Sequence, residues 1–192
     1  NNPNVCKYLD IPLQHIDGNI LKEMNRRSTE EQVRNLIDSI KTNYPEIAIR
    51  STFIIGFPGE TKKQFKKLIE FLESAKLNNV GFFPYYKEEK TKAYYMKKQI
   101  PNFIKKHRLK IAEKTQEKVM NVNNINLIGQ ETDVIIDYYD DEVNAFVGRT
   151  NQNSPNVDFY IFFDYLDKIK VGDIYKAKIT DYANGTFKGE IL

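Results

Sequence analysis

Three short stretches of this 192-residue chain carry residue types able to hold a charged, polar ligand. The first is Gly56-Phe57-Pro58-Gly59-Glu60-Thr61, which follows the apolar run 51–55 and precedes a helical pattern. Glycines there let the backbone turn sharply and approach a ligand, and the helix start offers free N–H groups. The second is Gln14-His15, after another short apolar run, where the Gln14 amide can hydrogen-bond a polar ligand. The third is Arg26, twelve residues beyond Gln14, whose planar guanidinium suits a carboxylate. A conformational reading competes at each: a tight turn for the glycines, a satisfied loop residue for His15, a solvated helix charge for Arg26. A metal or iron–sulfur cluster held by cysteine alone is excluded. Cys6 is the single cysteine, whereas an iron–sulfur cluster needs three or four. No internal disulfide can form either, which fits a reducing, cytoplasmic setting.

These residues must be positioned by the elements around them. Residues 8–13 read as a short strand stopped by Pro12, and Asp17 caps a helix carrying Ile20, Leu21 and Met24. Ser28 or Thr29, with Glu31 following, opens a second helix through Val33, Leu36, Ile37 and Ile40 that ends before Pro45. Residues 47–55 form a strand expected to be buried on both faces. Glu60 or Thr61 starts an amphipathic helix with Phe65, Leu68, Ile69 and Leu72, and 80–83 is a further buried strand. This alternation predicts right-handed crossovers and a parallel sheet, with ligands at the carboxyl ends of its strands. The predicted fold class is α/β: half of a TIM-like barrel, whose unprotected edge points to a missing upstream half.

Residues 87–98 read as a Lys-rich loop, and Pro101 begins a helix to about Val122 with Phe103, Ile104, Ile111 and Val119 on one side. Beyond Gly129 the pattern changes to short alternating strands at 132–139, 145–150, 159–163, 175–182 and 186–192. Turn signals fall at Asp140-Asp141, Asn153-Ser154-Pro155, Val171-Gly172-Asp173 and Asn184-Gly185. Five such strands predict a small antiparallel, OB-like β-barrel. The expected domains are residues 1–122 and 126–192.

Charge divides the chain at the same place. Residues 1–125 hold 23 Lys and Arg against 14 Asp and Glu (+9), and residues 126–192 hold 6 against 12 (−6). Two domains with different surfaces, or a drift of surface charge, produce such a split. Hydrophobic residues, at 41%, suffice for packed cores. No run approaches the roughly 20 apolar residues that span a bilayer, so no membrane partner is expected.

Taken together, Tyr8-Leu9-Asp10-Ile11-Pro12-Leu13-Gln14-His15, Ile20-Leu21-Lys22-Glu23-Met24-Asn25-Arg26 and Arg50-Ser51-Thr52-Phe53-Ile54-Ile55 running into Gly56–Thr61 resemble the methylthiotransferase branch of the radical S-adenosylmethionine enzymes. Leu9 through His15, Val80-Gly81-Phe82-Phe83 and Gly148-Arg149-Thr150 with Ser154 to Asp158 resemble the members that methylthiolate an aspartate of a small-subunit ribosomal protein. The resemblance covers the whole chain. It implies that Gln14 and Arg26 hold the aminocarboxylate end of S-adenosylmethionine, that Thr52 stands where relatives often place an Asp near the ribose, that Gly56 and its strand lie beside the nucleoside, and that the backbone around Phe83 belongs to the strand that flanks adenine. Where the family usually places an acid, three residues after the glycine, Gly59 stands and Glu60 follows. The 85–91 segment also departs from the usual Ser-Pro loop.

The same resemblance implies two 4Fe-4S clusters in a full-length enzyme, held by an upstream half of the same protein. It implies no catalytic residue, no metal and no bound cofactor in this chain, which is expected to be inactive alone. The terminal barrel resembles a TRAM domain, a module that binds RNA in several relatives. Its acidic balance, with Asp137, Asp140, Asp141 and Glu142, opposes a phosphate backbone and favours a basic ribosomal protein as partner. RNA contact, for example through Lys62, Lys63, Lys66 and Lys67, takes second place. The alternatives are a tRNA methylthiotransferase fragment and a noncatalytic RNA- or ribosome-binding protein.

Overall fold

The computed structural model describes residues 5–164, 167–183 and 185–192. Asn184 of the Asn184-Gly185 turn lies outside the described residues, as does the Asn1 to Asn4 start. Backbone contacts divide the chain into two units, Leu9–Met120 and Asn121–Leu192, the second joined by residues 5–8.

In the first unit β1 (Tyr8–Gln14), β2 (Ala48–Ile55) and β3 (Asn79–Pro84) lie side by side in that order as a parallel sheet. Arg50 stands opposite Asn79 and Ile55 opposite Pro84 in the β2–β3 register. The connecting helices are α1 (Gly18–Glu23), α2 (Glu30–Asn43) and α3 (Lys62–Ala75). Thr29 and Thr61 cap α2 and α3 in reciprocal boxes with Gln32 and Gln64. In α2 the reach back needs the third helical position, so Gln32 rather than Glu31 closes the box. Leu13, Ile49, Phe53 and Ile55 pack against Val33 and Ile37 of α2 and Phe65, Leu68, Phe71 and Leu72 of α3. Lys41 donates to the Ala75 and Lys76 carbonyls at 2.5 and 2.8 Å, satisfying acceptors at the end of α3.

Three sequence expectations change here. Pro12 does not stop β1, which continues to Gln14; β1 is the outer strand of the described sheet, where a missing N–H costs no ladder bond. Neither β2 nor β3 is buried on both faces. In β2, Ile49, Ser51, Phe53 and Ile55 are buried while Arg50, Thr52 and Ile54 are half-exposed, and in β3 Phe83 is 59% exposed. Helices cover one face of the sheet; the other carries Arg50, Thr52, Ile54 and Phe83. Third, α4 (Asn102–Ile125) does not bury the apolar side read from its sequence, since Phe103 is 73% and Ile111 37% exposed. Its buried residues are Lys105, Arg108, Ala112, Gln116 and Asn124, a mostly polar stripe at helical spacing. A short 3₁₀ turn, Lys92–Tyr95, interrupts the 87–98 loop.

The second unit is a closed barrel of β4 (Glu131–Asp140), β5 (Ala145–Thr150), β6 (Ile161–Asp164), β7 (Ile174–Ala183) and β8 (Thr186–Ile191), ordered β4-β5-β6-β8-β7. It is mixed rather than wholly antiparallel: Ile161 and Phe162 of β6 pair parallel with Phe187 and Lys188 of β8. Parity requires this, because directions cannot alternate around a ring with an odd number of strands. Val134, Ile136, Phe163, Ala177 and Phe187 form its centre. Register shifts at Ile136/Tyr138 and Ile179/Asp181 bend β4 and β7 toward closure.

At Gly148 the barrel wall leaves no room for a side chain. A Cβ there would lie 2.6 Å from Val134 Cγ1 and 2.7 Å from the Ile135 carbonyl oxygen. Gly148→Ala should therefore destabilise the barrel by about 1–3 kcal/mol, read as a lower urea midpoint by circular dichroism; an unchanged midpoint contradicts this packing.

Candidate cofactor cavity

At the carboxyl end of β1 the chain turns within two residues. Gln14 is half-buried with a φ of 70°, a region that residues with a side chain rarely occupy. The His15 N–H closes onto the Leu13 carbonyl at 2.9 Å. Asp17 then starts α1 by accepting from the Asn19 and Ile20 amides. The helix stops in a Schellman turn: Asn25 takes a φ of 59°, its amide donates to Lys22 O at 3.0 Å, and the Arg26 amide donates to Leu21 O at 2.8 Å. That turn fixes where Arg26 leaves the backbone. Gln14, Arg26, Ile54 and Phe57, with Thr91 to Ala93, line one open cavity of about 500 Å³. Its size suits a cofactor-sized ligand. Among the described residues, neither the Gln14 amide nor the Arg26 guanidinium has a protein partner.

The turn after β2 is held by a buried carboxylate. Glu60 Oε2 accepts the Gly56 N–H at 2.8 Å, and Oε1 pairs with Arg108 of α4. Arg108 also donates to the Glu60 carbonyl at 3.1 Å. His15, wholly buried, accepts the Asp17 N–H at Nδ1 (2.9 Å), which leaves its ring proton on Nε2, 3.7 Å from Glu60 Oε2. The loops after β1 and β2 and the helix α4 thus meet at one charge cluster. Gly56, at φ 76°, has no room for a side chain, since a Cβ would lie 2.5 Å from Lys105 Cγ. Lys105 donates to the Tyr85 carbonyl at 2.8 Å, and burial lowers its ammonium pKa. Tyr85 packs edge-on against Phe57, with centroids 5.4 Å apart.

A second cluster ties α1, α2 and α3. Lys67 reaches Asp17 Oδ2 at 3.0 Å and Glu30 Oε2 at 2.8 Å, while Gln64 donates to Asp17 Oδ1 at 2.9 Å. Burial pushes both carboxyls up, but hydrogen bonds outweigh it: from Lys67, Gln64 and the Ile20 amide for Asp17, and from Lys67 and Arg34 for Glu30. Both pKa values end below the usual range.

The structure therefore brings Gln14 and Arg26 to one cavity. Thr52 and Phe83 do not line it, but they share the sheet face on which Ile54 opens into it, Thr52 opposite Gly81 and Ile54 opposite Phe83. Gly56 is buried beside the lining residue Phe57. Asp140, Asp141 and Glu142 sit on the barrel's β4–β5 turn; Asp140 Oδ1 accepts the Glu142 and Val143 amides, while Asp141 and Glu142 are exposed. Sequence reasoning missed Lys105 and Arg108 because basic residues on a helix read as solvated. Among the described residues no group of three His, Cys, Asp or Glu could hold a metal ion, and Cys6 is exposed. No helix is long and apolar enough to cross a membrane among those residues.

Two family models match this architecture: the radical SAM superfamily over residues 2–72 and the TRAM domain over residues 128–192. Strands β1 and β2 fall within the first match and the closed barrel within the second, so the chain is similar to these two families in those segments. Across its length the chain is similar to proteins named ribosomal protein uS12 methylthiotransferase RimO. It is 40% identical to that of Geobacter sulfurreducens over 193 residues, covering 100% of this chain and 43% of the relative. With the Elusimicrobium minutum protein it is 42% identical over 190 residues, 99% of this chain and 43% of the relative. With that of Carboxydothermus hydrogenoformans it is 41% identical over 192 residues, 100% of this chain and 44% of the relative. The chain spans less than half the length of these curated relatives.

Because Asp17 and Glu30 titrate lower folded than unfolded, the stability they add is full above the ordinary carboxylate range and is lost as pH falls through their depressed values. Lys67→Met should lower stability at pH 7 and flatten its decline below about pH 4 in acid titrations of the unfolding midpoint. An acid slope equal to that of the parent chain contradicts this.

Proposed function

We propose that this chain is part of a radical enzyme that methylthiolates an aspartate of a small-subunit ribosomal protein in the cytoplasm, with residues 1–122 belonging to its S-adenosylmethionine domain and 126–192 to its TRAM domain. The observation that carries this reading is the unpaired Gln14 amide and Arg26 guanidinium on one cavity, in a chain about 40% identical to RimO proteins throughout. When bound, S-adenosylmethionine supplies the radical-forming and methyl-donating chemistry of this family.

The donor set fits that ligand. Arg26 pairs with its carboxylate, Gln14 hydrogen-bonds the same aminocarboxylate end, and Ile54 and Phe57 offer apolar contact to the nucleoside. Thr52 can reach the ribose and Phe83 can flank adenine from the adjoining sheet face. Gly56, without a Cβ, lets the backbone pack closely there. The residues present do not fit an iron–sulfur cluster, because one exposed cysteine cannot replace three or four thiolates. The 4Fe-4S clusters belong to the remainder of the full-length enzyme, and this chain alone is inactive. On the barrel, Asp141 and Glu142 are the free acids to meet a basic ribosomal protein; Asp140 is engaged in shaping the turn.

In the full-length enzyme, Arg26→Ala should weaken S-adenosylmethionine binding about 10- to 100-fold by calorimetry, the worth of a charged hydrogen bond; unchanged affinity removes Arg26 from the site. Asp141→Lys with Glu142→Lys should slow association with the ribosomal protein several-fold at low salt, with the difference fading as salt rises. A rate indifferent to charge and salt contradicts the barrel's role.

A further inference from the structure

The segment that follows β3 carries a second concavity, of about 390 Å³, which the proposed reaction leaves unused. Tyr85, Tyr86, Lys87, Asn102, Lys105 and Lys106 are among the residues that line it, and no carboxylate is. Lys87 Nζ sits 4.3 Å from the centre of the Tyr94 ring, and Tyr94 packs edge-on against Tyr95 at 5.1 Å, so the lysine–aromatic surface continues onto the 3₁₀ turn. Tyr86 is 84% exposed, Tyr95 73% and Phe103 73%. Residues 83–110 hold nine Lys and Arg against two Glu, a balance of +7.

Lysines by themselves would be a solvated face. Three large rings left in water among them require a partner that is flat and apolar as well as anionic. An acidic peptide supplies the charge without the stacking surface, and a duplex hides its bases. A single nucleic-acid strand supplies both: bases stack on exposed aromatic rings while lysines neutralise phosphates. We infer that this groove binds a segment of single-stranded RNA, with a base on Tyr86 and adjacent phosphates on Lys87 and Lys106. The choice of RNA over DNA rests on the proposed substrate, a ribosomal protein, whose natural neighbour is RNA; the groove chemistry itself does not depend on that reading. The two signs of charge on the chain then divide the work. The acidic barrel suits a basic protein, and the basic groove suits the RNA that accompanies it.

The test uses the 192-residue chain and fluorescein-labelled decauridine, followed by anisotropy from about 50 mM salt upward. Tyr86→Ala, at a position too exposed to affect folding, should weaken binding at least about fivefold. Lys87→Gln combined with Lys106→Gln should reduce the slope of log affinity against log salt by about 1.4, about 0.7 for each lost phosphate contact. Absent binding, affinities unmoved in both variants, or equal binding of polyglutamate or of RNA duplex would each overturn the inference. Calorimetry of S-adenosylmethionine with the Tyr86→Ala variant of the full-length enzyme should match the parent, so failure of the groove and failure of the cofactor reading are told apart.

Discussion

The first unit is organised around one buried carboxylate. Glu60 has lost its water, and its stability depends on the Gly56 N–H and the Arg108 guanidinium, with His15 alongside. Such a charge is tolerated only while its partners stay in place, because a buried ion left without its counterion costs about 3–5 kcal/mol. Three separate segments must therefore arrive together: the loop after β1, the loop after β2 and the middle of α4. Their meeting sets Gln14 and the Gly56 turn at adjoining strand ends, while the Schellman turn of α1 delivers Arg26 to the same cavity. Pre-placed donors of this kind lose little freedom when a ligand arrives.

Much of this could be read from residue order. Through residue 75 the strands follow short apolar runs and the helices an apolar period of 3.6, and Asp17, Thr29 and Thr61 cap their helices for the reason their side-chain oxygens suggest. The barrel strands were legible from alternation and turn residues. What was not legible was burial that depends on partners far away in the chain. Lys105, Arg108 and Gln116 look like a wet helix face, and only Tyr85, Glu60 and Leu77 as acceptors make them interior. Phe83 and Phe103 look like core residues, yet no described element covers them. Pro12 looked like a strand end because an outer strand cannot be told from an inner one without the sheet order. The parallel β6–β8 pair was derivable by counting strands, once closure of the barrel was granted.

The sheet face and the aromatic groove both leave side chains that the described residues do not fully cover: Arg50, Thr52 and Ile54 on the sheet, Tyr86, Tyr95 and Phe103 beyond it. Arg50 is braced against Asp10 at 3.0 Å, and Thr52 stands free toward Gly81, so the sheet face is polar in the middle and apolar at the strand ends. A nucleoside needs that gradient, with hydrogen-bonding groups for sugar and aminocarboxylate and smooth apolar contacts for the base.

All of this turns on where one small anionic group is bound. A crystal structure of the proposed full-length enzyme with S-adenosylhomocysteine, which keeps the aminocarboxylate and the nucleoside, would decide it. The account requires the ligand carboxylate within hydrogen-bond distance of the Arg26 guanidinium and the Gln14 amide, with the Gly56–Glu60 turn unmoved. A carboxylate bound elsewhere, with Gln14 and Arg26 facing solvent, would contradict it.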